Sequence, residues 1–184
     1  MKRTVIALVV GMGICIALCG ALYFGFKSWD LSRQLRHVPI DFGVSKVIWS
    51  AEDSWGAGPG GNETGVIVYE LEAAQVEKIL RGGVTYLNSM PQQPGDSRDW
   101  YGRYGEWGST PVLLEGDDGT PRRTQDHEIA HYLDRYGFGI PLDPKIEQEI
   151  NAALSNAGSY FAYGRIGFIL VMPKSNRVVY AYNG

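Results

Sequence analysis

Thr4 to Phe26 is an uncharged run of 23 residues behind a Met1-Lys2-Arg3 head, and no other feature of the chain constrains its architecture as much. As a helix at 1.5 Å per residue it would reach about 34 Å, enough to cross a hydrocarbon core of about 30 Å. Secretory apolar regions stop at about 7–15 residues, so the length favours an uncleaved signal anchor over a cleaved leader. Small residues at Ala17, Cys19 and Ala21 leave cleavage near Ala21 as the alternative, while Leu18 occupies the place where a lipoprotein signal carries a small side chain. Tyr23, Phe24 and Phe26, followed by Lys27 and Trp29, read as an interfacial belt.

Residues 1–26 are therefore expected to be a transmembrane signal anchor, 27–43 a mixed, polar juxtamembrane stalk, and 44–184 a folded extracytoplasmic domain. The flanking charges nearly balance. Lys2 and Arg3 stand on one side, and Lys27, Arg33 and Arg36, offset by Asp30, on the other. A short Lys-Arg head is the usual export arrangement, which places the domain outside the cytoplasm, in the periplasm for a bacterial chain.

Both cysteines, Cys15 and Cys19, fall inside the span. The exported part has none, so no disulfide can support it and its core must suffice. Without Lys2 and Arg3 the 17 basic residues become 15 against 20 acidic ones, a net charge of −5. That balance argues against a nucleic-acid partner. Hydrophobic residues at 45% and charged ones at 20% exclude a disordered chain. The 24 glycines and the 12% aromatic share point instead to shaped loops pinned by rings.

Pattern then assigns elements. Val44 to Ser50 and the nearly continuous apolar Val66 to Leu71 read as two strands of a hairpin, joined by the glycine-rich loop Trp55 to Gly65. Ala73, Val76, Ile79 and Leu80 share a helix face that begins at Glu72 and stops at Gly82-Gly83. Pro111 to Leu114 is a short strand candidate, and helix signals return at about Asp126 to Tyr136. Asp143 then offers an N-cap, Pro144 suits the first helical position, and Ile146, Ile150, Ala153, Leu154 and Ala157 form one stripe. Phe168 to Met172 and Val178 to Tyr182 flank the turn Pro173 to Arg177. Strands in pairs with helices grouped between them predict an α+β domain with a small, mostly antiparallel sheet of about four or five strands and about three helices, behind the one N-terminal transmembrane helix.

The sharpest chemical motif is His127-Glu128-Ile129-Ala130-His131. On a helix, histidines four apart share a face and can bind Zn²⁺, with the intervening glutamate as general base toward the metal-bound water. Over these five residues the spelling resembles the active helix of the zincin metallopeptidases, which implies His127 and His131 as ligands and Glu128 as base. Asp134, seven residues on along the same face, or Glu147 would supply a third ligand. The surroundings favour a plainer reading. Polar Arg122 to Asp126 precede the motif, whereas Ile129, Leu133 and Tyr136 gather on the opposite face, so the histidines are expected to meet solvent. No cofactor is expected, zinc entering only under the peptidase alternative.

Gly56-Ala-Gly-Pro-Gly-Gly61 spells a dinucleotide fingerprint, but a strand follows it where such sites need a helix, and no P-loop Lys-Ser/Thr follows. Nucleotide binding is not expected. Asp99 to Trp107 carries Trp100, Tyr101, Tyr104 and Trp107, spaced by glycines, and with Trp55 these are the candidate recognition residues; the same rings could simply anchor a long loop. No exported cysteine, nucleophile elbow or fixed carboxylate pair supplies an acid–base couple. Residues 4–26 thus hold the membrane, and the expected activity is binding of a protein partner, either an envelope protein or an incoming one that is neutralised. The alternatives are a tethered zinc peptidase and a structural envelope component without catalysis.

Overall fold

The computed structural model describes residues 2–55, 62–91, 101–112, 114–115, 121–122, 128–135 and 139–183. The chain forms two units, Met1–Gln34 and Leu35–Gly184. The first is helical. Helix α1 covers Lys2–Leu35, 34 residues or about 51 Å at the standard rise, and its stretch Gly11–Leu35 is long and apolar enough to cross a membrane. The helix continues past Phe26 because no glycine or proline interrupts the chain between Lys27 and Val38. Lys27 lies over the ring of Tyr23 at 5.5 Å, and Arg33 pairs with Asp30 at 3.1 Å. The stretch read from sequence as a stalk, 27–43, is thus helical as far as Leu35, and its end is packed: Val38 and Phe42 are buried in the core of the second unit.

The second unit is α+β. Strands β1 (Val47–Trp55) and β2 (Asn62–Glu70) form the expected hairpin, and helix α2 (Ala73–Ser89) follows. Strands β3 (Gly108–Ser109), β4 (Leu114–Glu115) and β5 (Pro121–Arg122) are short. Helices α3 (Ile129–Leu133) and α4 (Pro144–Ser155) come next, then β6 (Tyr160–Tyr163), β7 (Phe168–Met172) and β8 (Arg177–Asn183). Six strands make one antiparallel sheet in the order β1-β2-β8-β7-β6-β3, and β4 pairs with β5. Among the described residues this is one strand more in the main sheet than the upper expectation, because β6 and β3 had no pattern long enough to read.

The apolar runs of β2, β7 and β8 follow from their cover. Ile67, Tyr69, Ile169, Val171, Val178 and Tyr180 face α2 and the segment 38–42, while Val66, Val68, Leu170, Val179 and Ala181 face α3 and α4. With helices on both sides, neither face of a central strand has cause to be polar, and the period-2 alternation of a half-exposed strand disappears. Each fully buried Leu or Ile contributes roughly 1.5–3 kcal/mol. The α4 cap forms as read, the Asp143 carboxylate accepting from the amides of Lys145 and Ile146 at 2.8 and 3.3 Å.

Two glycines shape this frame. Gly83 adopts φ 54° and ψ −142°, which interrupts α2 where the glycine pair predicted a stop, but helix resumes after it and buries Leu87. Gly65, expected in the loop, lies instead within β2 opposite Tyr182. A β-carbon there would stand 2.6 Å from the Tyr182 ring, so the bare backbone is what lets that ring lie across the strand.

Candidate functional site

Helix α3 has five residues, too few to hold its shape alone. Ile129 and Leu133 are fully buried and tie it to the sheet. Both of its ends are held by asparagines from elsewhere in the fold. The Asn151 side-chain oxygen, on α4, accepts from the Ile129 amide at 2.8 Å. The Asn183 amide group, at the end of β8, donates to the carbonyls of Tyr132 and Leu133 at 3.0 and 2.7 Å. Its oxygen accepts from the buried Thr64 hydroxyl at 3.4 Å, which fixes the orientation of the amide. The orphan donor and acceptors of a short helix are thereby paired at both termini.

A second fastening sets the facing wall. The Thr110 hydroxyl donates to the carbonyl of Asn156 at 2.6 Å and accepts from the Ser159 amide at 3.1 Å, while the Val112 amide donates to the Leu154 carbonyl at 3.0 Å. Val112 is thereby pinned over the end of α4.

Between these walls is a cleft of about 340 Å³, lined by Val112, Glu128, Ile129, Tyr132, Leu154, Phe161, Tyr163 and Phe168. Its rings meet edge to face: Tyr132 on Phe168 at 4.9 Å, Phe161 on Tyr163 at 5.8 Å, and Tyr163 on Phe168 at 6.1 Å, the arrangement that aromatic quadrupoles prefer. Tyr163 keeps 52% of its surface exposed. Burial of the rest pushes its phenol above the ordinary value, and the charge of Arg135 partly offsets this. Among the described residues of the lining, Glu128 is the one acidic or basic side chain. Its backbone is extended at φ −78° and ψ 129°, and its side chain makes no capping hydrogen bond. Such a surface offers apolar walls, two phenols and a carboxylate. Its phenols and carboxylate can accept hydrogen bonds, and among the described residues of the lining no nucleophile stands beside a base.

The residues singled out from sequence separate onto two sides of the sheet. Glu128, His131, Asp134 and Glu147 belong to the α3–α4 side. His131 and Asp134 are exposed, as the helical wheel predicted for that face, and Glu147 is half-buried in the first turn of α4. The Asp134 carboxylate accepts from the Gly139 amide at 3.0 Å. Because α3 starts at Ile129, Glu128 stands before the helix and not within it, so no single helix carries the motif from its first residue to its last. Among the described residues no group of three His, Cys, Asp or Glu side chains is placed to hold a metal ion. His127 and Trp100 lie outside the described residues, as does the side chain of Trp55.

Tyr101, Tyr104 and Trp107 come together on the opposite side. Tyr104 and Trp107 are buried in the core beneath α2. The Tyr104 hydroxyl donates to the His37 carbonyl at 2.5 Å, and burial holds its pKa well above the ordinary phenol value. Trp107 packs edge-on against Phe42 at 5.7 Å, and its amide donates to the Asn88 side chain at 2.8 Å. Tyr101 is half-buried between the Arg36 guanidinium, 4.2 Å from its ring, and the imidazole of His37 at 5.0 Å. His37, read from sequence as a stalk residue, is buried and stacks on Tyr180 at 4.3 Å. These rings fasten residues 36–42 and 101–107 to the sheet, and Tyr104 and Trp107 also edge a smaller cleft of about 250 Å³ with Pro39, Leu87 and Met90. Replacing Tyr104 by phenylalanine is expected to cost about 1 kcal/mol of stability, read as a lower urea midpoint of the full chain in micelles.

Sequence reading did not find Tyr132, Phe161, Tyr163 and Phe168 as one surface. They come from three separate elements, and the register of β6 on β7, with Tyr163 opposite Phe168, is what brings them together. No protein-family model, no curated protein and no solved structure matches the chain, so the chemistry of the site rests on its own residues.

Proposed function

We propose that this chain is a single-pass, membrane-anchored binding domain displayed outside the cytoplasm, in the periplasm of a bacterial cell, and that it holds a polypeptide partner in the cleft beside α3. That partner is an envelope protein or an incoming protein that the domain neutralises. The observation that carries the reading is the aromatic-walled hollow beside α3, where Tyr132, Phe161, Tyr163 and Phe168 gather from three elements and Tyr163 stays half exposed. The apolar helix and the Met1-Lys2-Arg3 head support the tether and the exported side.

One variant tests location and occupancy together. With Cys15 and Cys19 replaced by alanine, Tyr163→Cys carries the chain's single thiol at the cleft mouth. Leu80→Cys places one on the exposed side of α2, where the native leucine is 58% exposed. A membrane-impermeant maleimide is expected to label both in intact cells. Labelling at 163 should be several-fold slower in cells than on the purified full chain, with no such difference at 80. Labelling that needs lysis would contradict the exported location, and equal rates at 163 in both settings would contradict an occupied cleft.

A further inference from the structure

Ile40 is 75% exposed, the most open large apolar side chain among the described residues. A single exposed apolar residue is ordinary on a protein surface, but this one is held outward. Val38 and Phe42, two positions to either side, are buried in the core. Between them the chain makes one 3-10 turn, Ile40–Phe42. The Phe42 amide donates to the Pro39 carbonyl and the Gly43 amide to the Ile40 carbonyl, both at 3.0 Å. Gly43 closes the turn at φ 62°, in the left-handed region that glycine adopts without strain. Upstream, the Tyr104 hydroxyl holds the His37 carbonyl and the His37 ring stacks on Tyr180. With both flanks fastened, Ile40 has no inward path and forms a fixed apolar tip.

Apolar surface continues beside it. Pro39, Met90 and Pro91 border one small cleft, and Pro91 is exposed there. The nearest charges along the chain, Arg36 and Asp41, are both exposed and opposite in sign.

Covalent reach then selects what meets this tip. The membrane-length stretch of α1 ends at Leu35, and five further residues extend at most about 18 Å. Helix α1, with 34 residues, is about 51 Å long, and a bilayer with its headgroups is about 40–45 Å thick. The excess is smaller than the reach of those five residues, so Ile40 is tied close enough to return to the membrane surface.

Resting on the reading of α1 as a membrane anchor, we propose that the turn at Ile40 is a lipid-contacting foot of the extracytoplasmic domain. Ile40, with Pro39 and Pro91 beside it, enters the boundary between headgroups and acyl chains on the domain's side of the bilayer. Leaving water favours the apolar tip, while Arg36 and Asp41 stay among the headgroups and limit its depth. The tether holds the tip at high effective concentration, so a contact too small to recruit a free domain suffices here. Because the two flanking charges cancel, lipid charge has little part in it.

The test uses the native full chain, deuterated apart from its isoleucine methyl groups, in nanodiscs of phosphatidylcholine. Cross-relaxation in NMR reports which protons touch each methyl. Ile14 and Ile16, exposed on α1 within the apolar run, read the anchor, and Ile40 reads the foot. The expected result is a cross-peak from Ile40 to the lipid methylenes, as from Ile14 and Ile16, several-fold stronger than its cross-peak to water. It should persist unchanged when phosphatidylglycerol is mixed in. Lipid contact at Ile14 and Ile16 with water alone at Ile40 would overturn this inference and leave the anchor standing. Contact of Ile40 with neither lipid nor water would overturn it in favour of a protein surface, such as a second copy of the chain. A lipid cross-peak seen only with phosphatidylglycerol would overturn the apolar account in favour of attraction to Arg36. No lipid contact at Ile14 and Ile16 would overturn both this inference and the anchor reading it rests on.

Discussion

Replacing Asn183 by aspartate is expected to lower the unfolding free energy by about 2–4 kcal/mol and to abolish binding at the cleft. Asn183 uses both halves of its amide: the nitrogen donates to the carbonyls of Tyr132 and Leu133, and the oxygen accepts from the Thr64 hydroxyl. Aspartate keeps the acceptor and loses the donor. It also sets a negative charge against carbonyls that form the negative end of α3, and leaves them unpaired in a half-buried place, where each unmade bond costs about 1–3 kcal/mol. Asn183→Leu removes the same bonds without the added charge and should fall between the aspartate variant and the native chain. Thr64→Val, which disturbs only the acceptor side, should cost less than either. Urea titration of the full chain in micelles gives the ordering. A midpoint for Asn183→Asp within error of native would show that the helix needs no such clamp.

Gly65→Val should be the second large effect, a loss of about 2–3 kcal/mol. The position is buried in β2 opposite Tyr182. Even the first added carbon would lie 2.6 Å from the ring, and valine adds two more. The ring has no costless retreat, since Tyr182 stacks on Tyr180 at 5.3 Å and lies parallel to His37 at 6.1 Å. Moving it opens the stack that holds His37, and with it the segment that carries Val38 and Phe42. Gly65→Ala should show the same direction at smaller size, and Gly65→Val combined with Tyr182→Ala should recover part of the loss, because the clash has gone. A double variant no more stable than the sum of the two singles would contradict this origin.

What could be read from sequence follows from how local each signal is. Helix α4 was legible to its first residue because Asp143 and Pro144 carry their structural reason in their own chemistry, and β7 because its run is bounded by a glycine and a proline. The membrane-length helix was legible from its missing charges alone. Strand β6 was not: Tyr160 to Tyr163 is four residues long and takes its conformation from the register of β7. Gly65 looked like a loop residue because its reason, the Tyr182 ring, stands 117 positions away in the chain. Residues 37–42 looked like stalk because a buried histidine and a few apolar residues have no period. The cleft shows the same limit more strongly. Glu128 stood out within a motif whose meaning depends on a helix, yet α3 begins one residue later. Val112, Tyr132, Phe161, Tyr163 and Phe168 become a surface only after Asn151, Asn183 and Thr110 have fixed their supports, and no spacing in the chain encodes those three contacts.

The binding reading is tested most directly by photo-crosslinking in living cells, with a benzophenone amino acid placed at position 163 in one variant of the full chain and at position 80 in another. The account predicts one discrete adduct with another polypeptide at 163, absent at 80 and lost when Asn183→Asp is added. Equal adducts at both positions, or none at 163 in cells that depend on the protein, would contradict it.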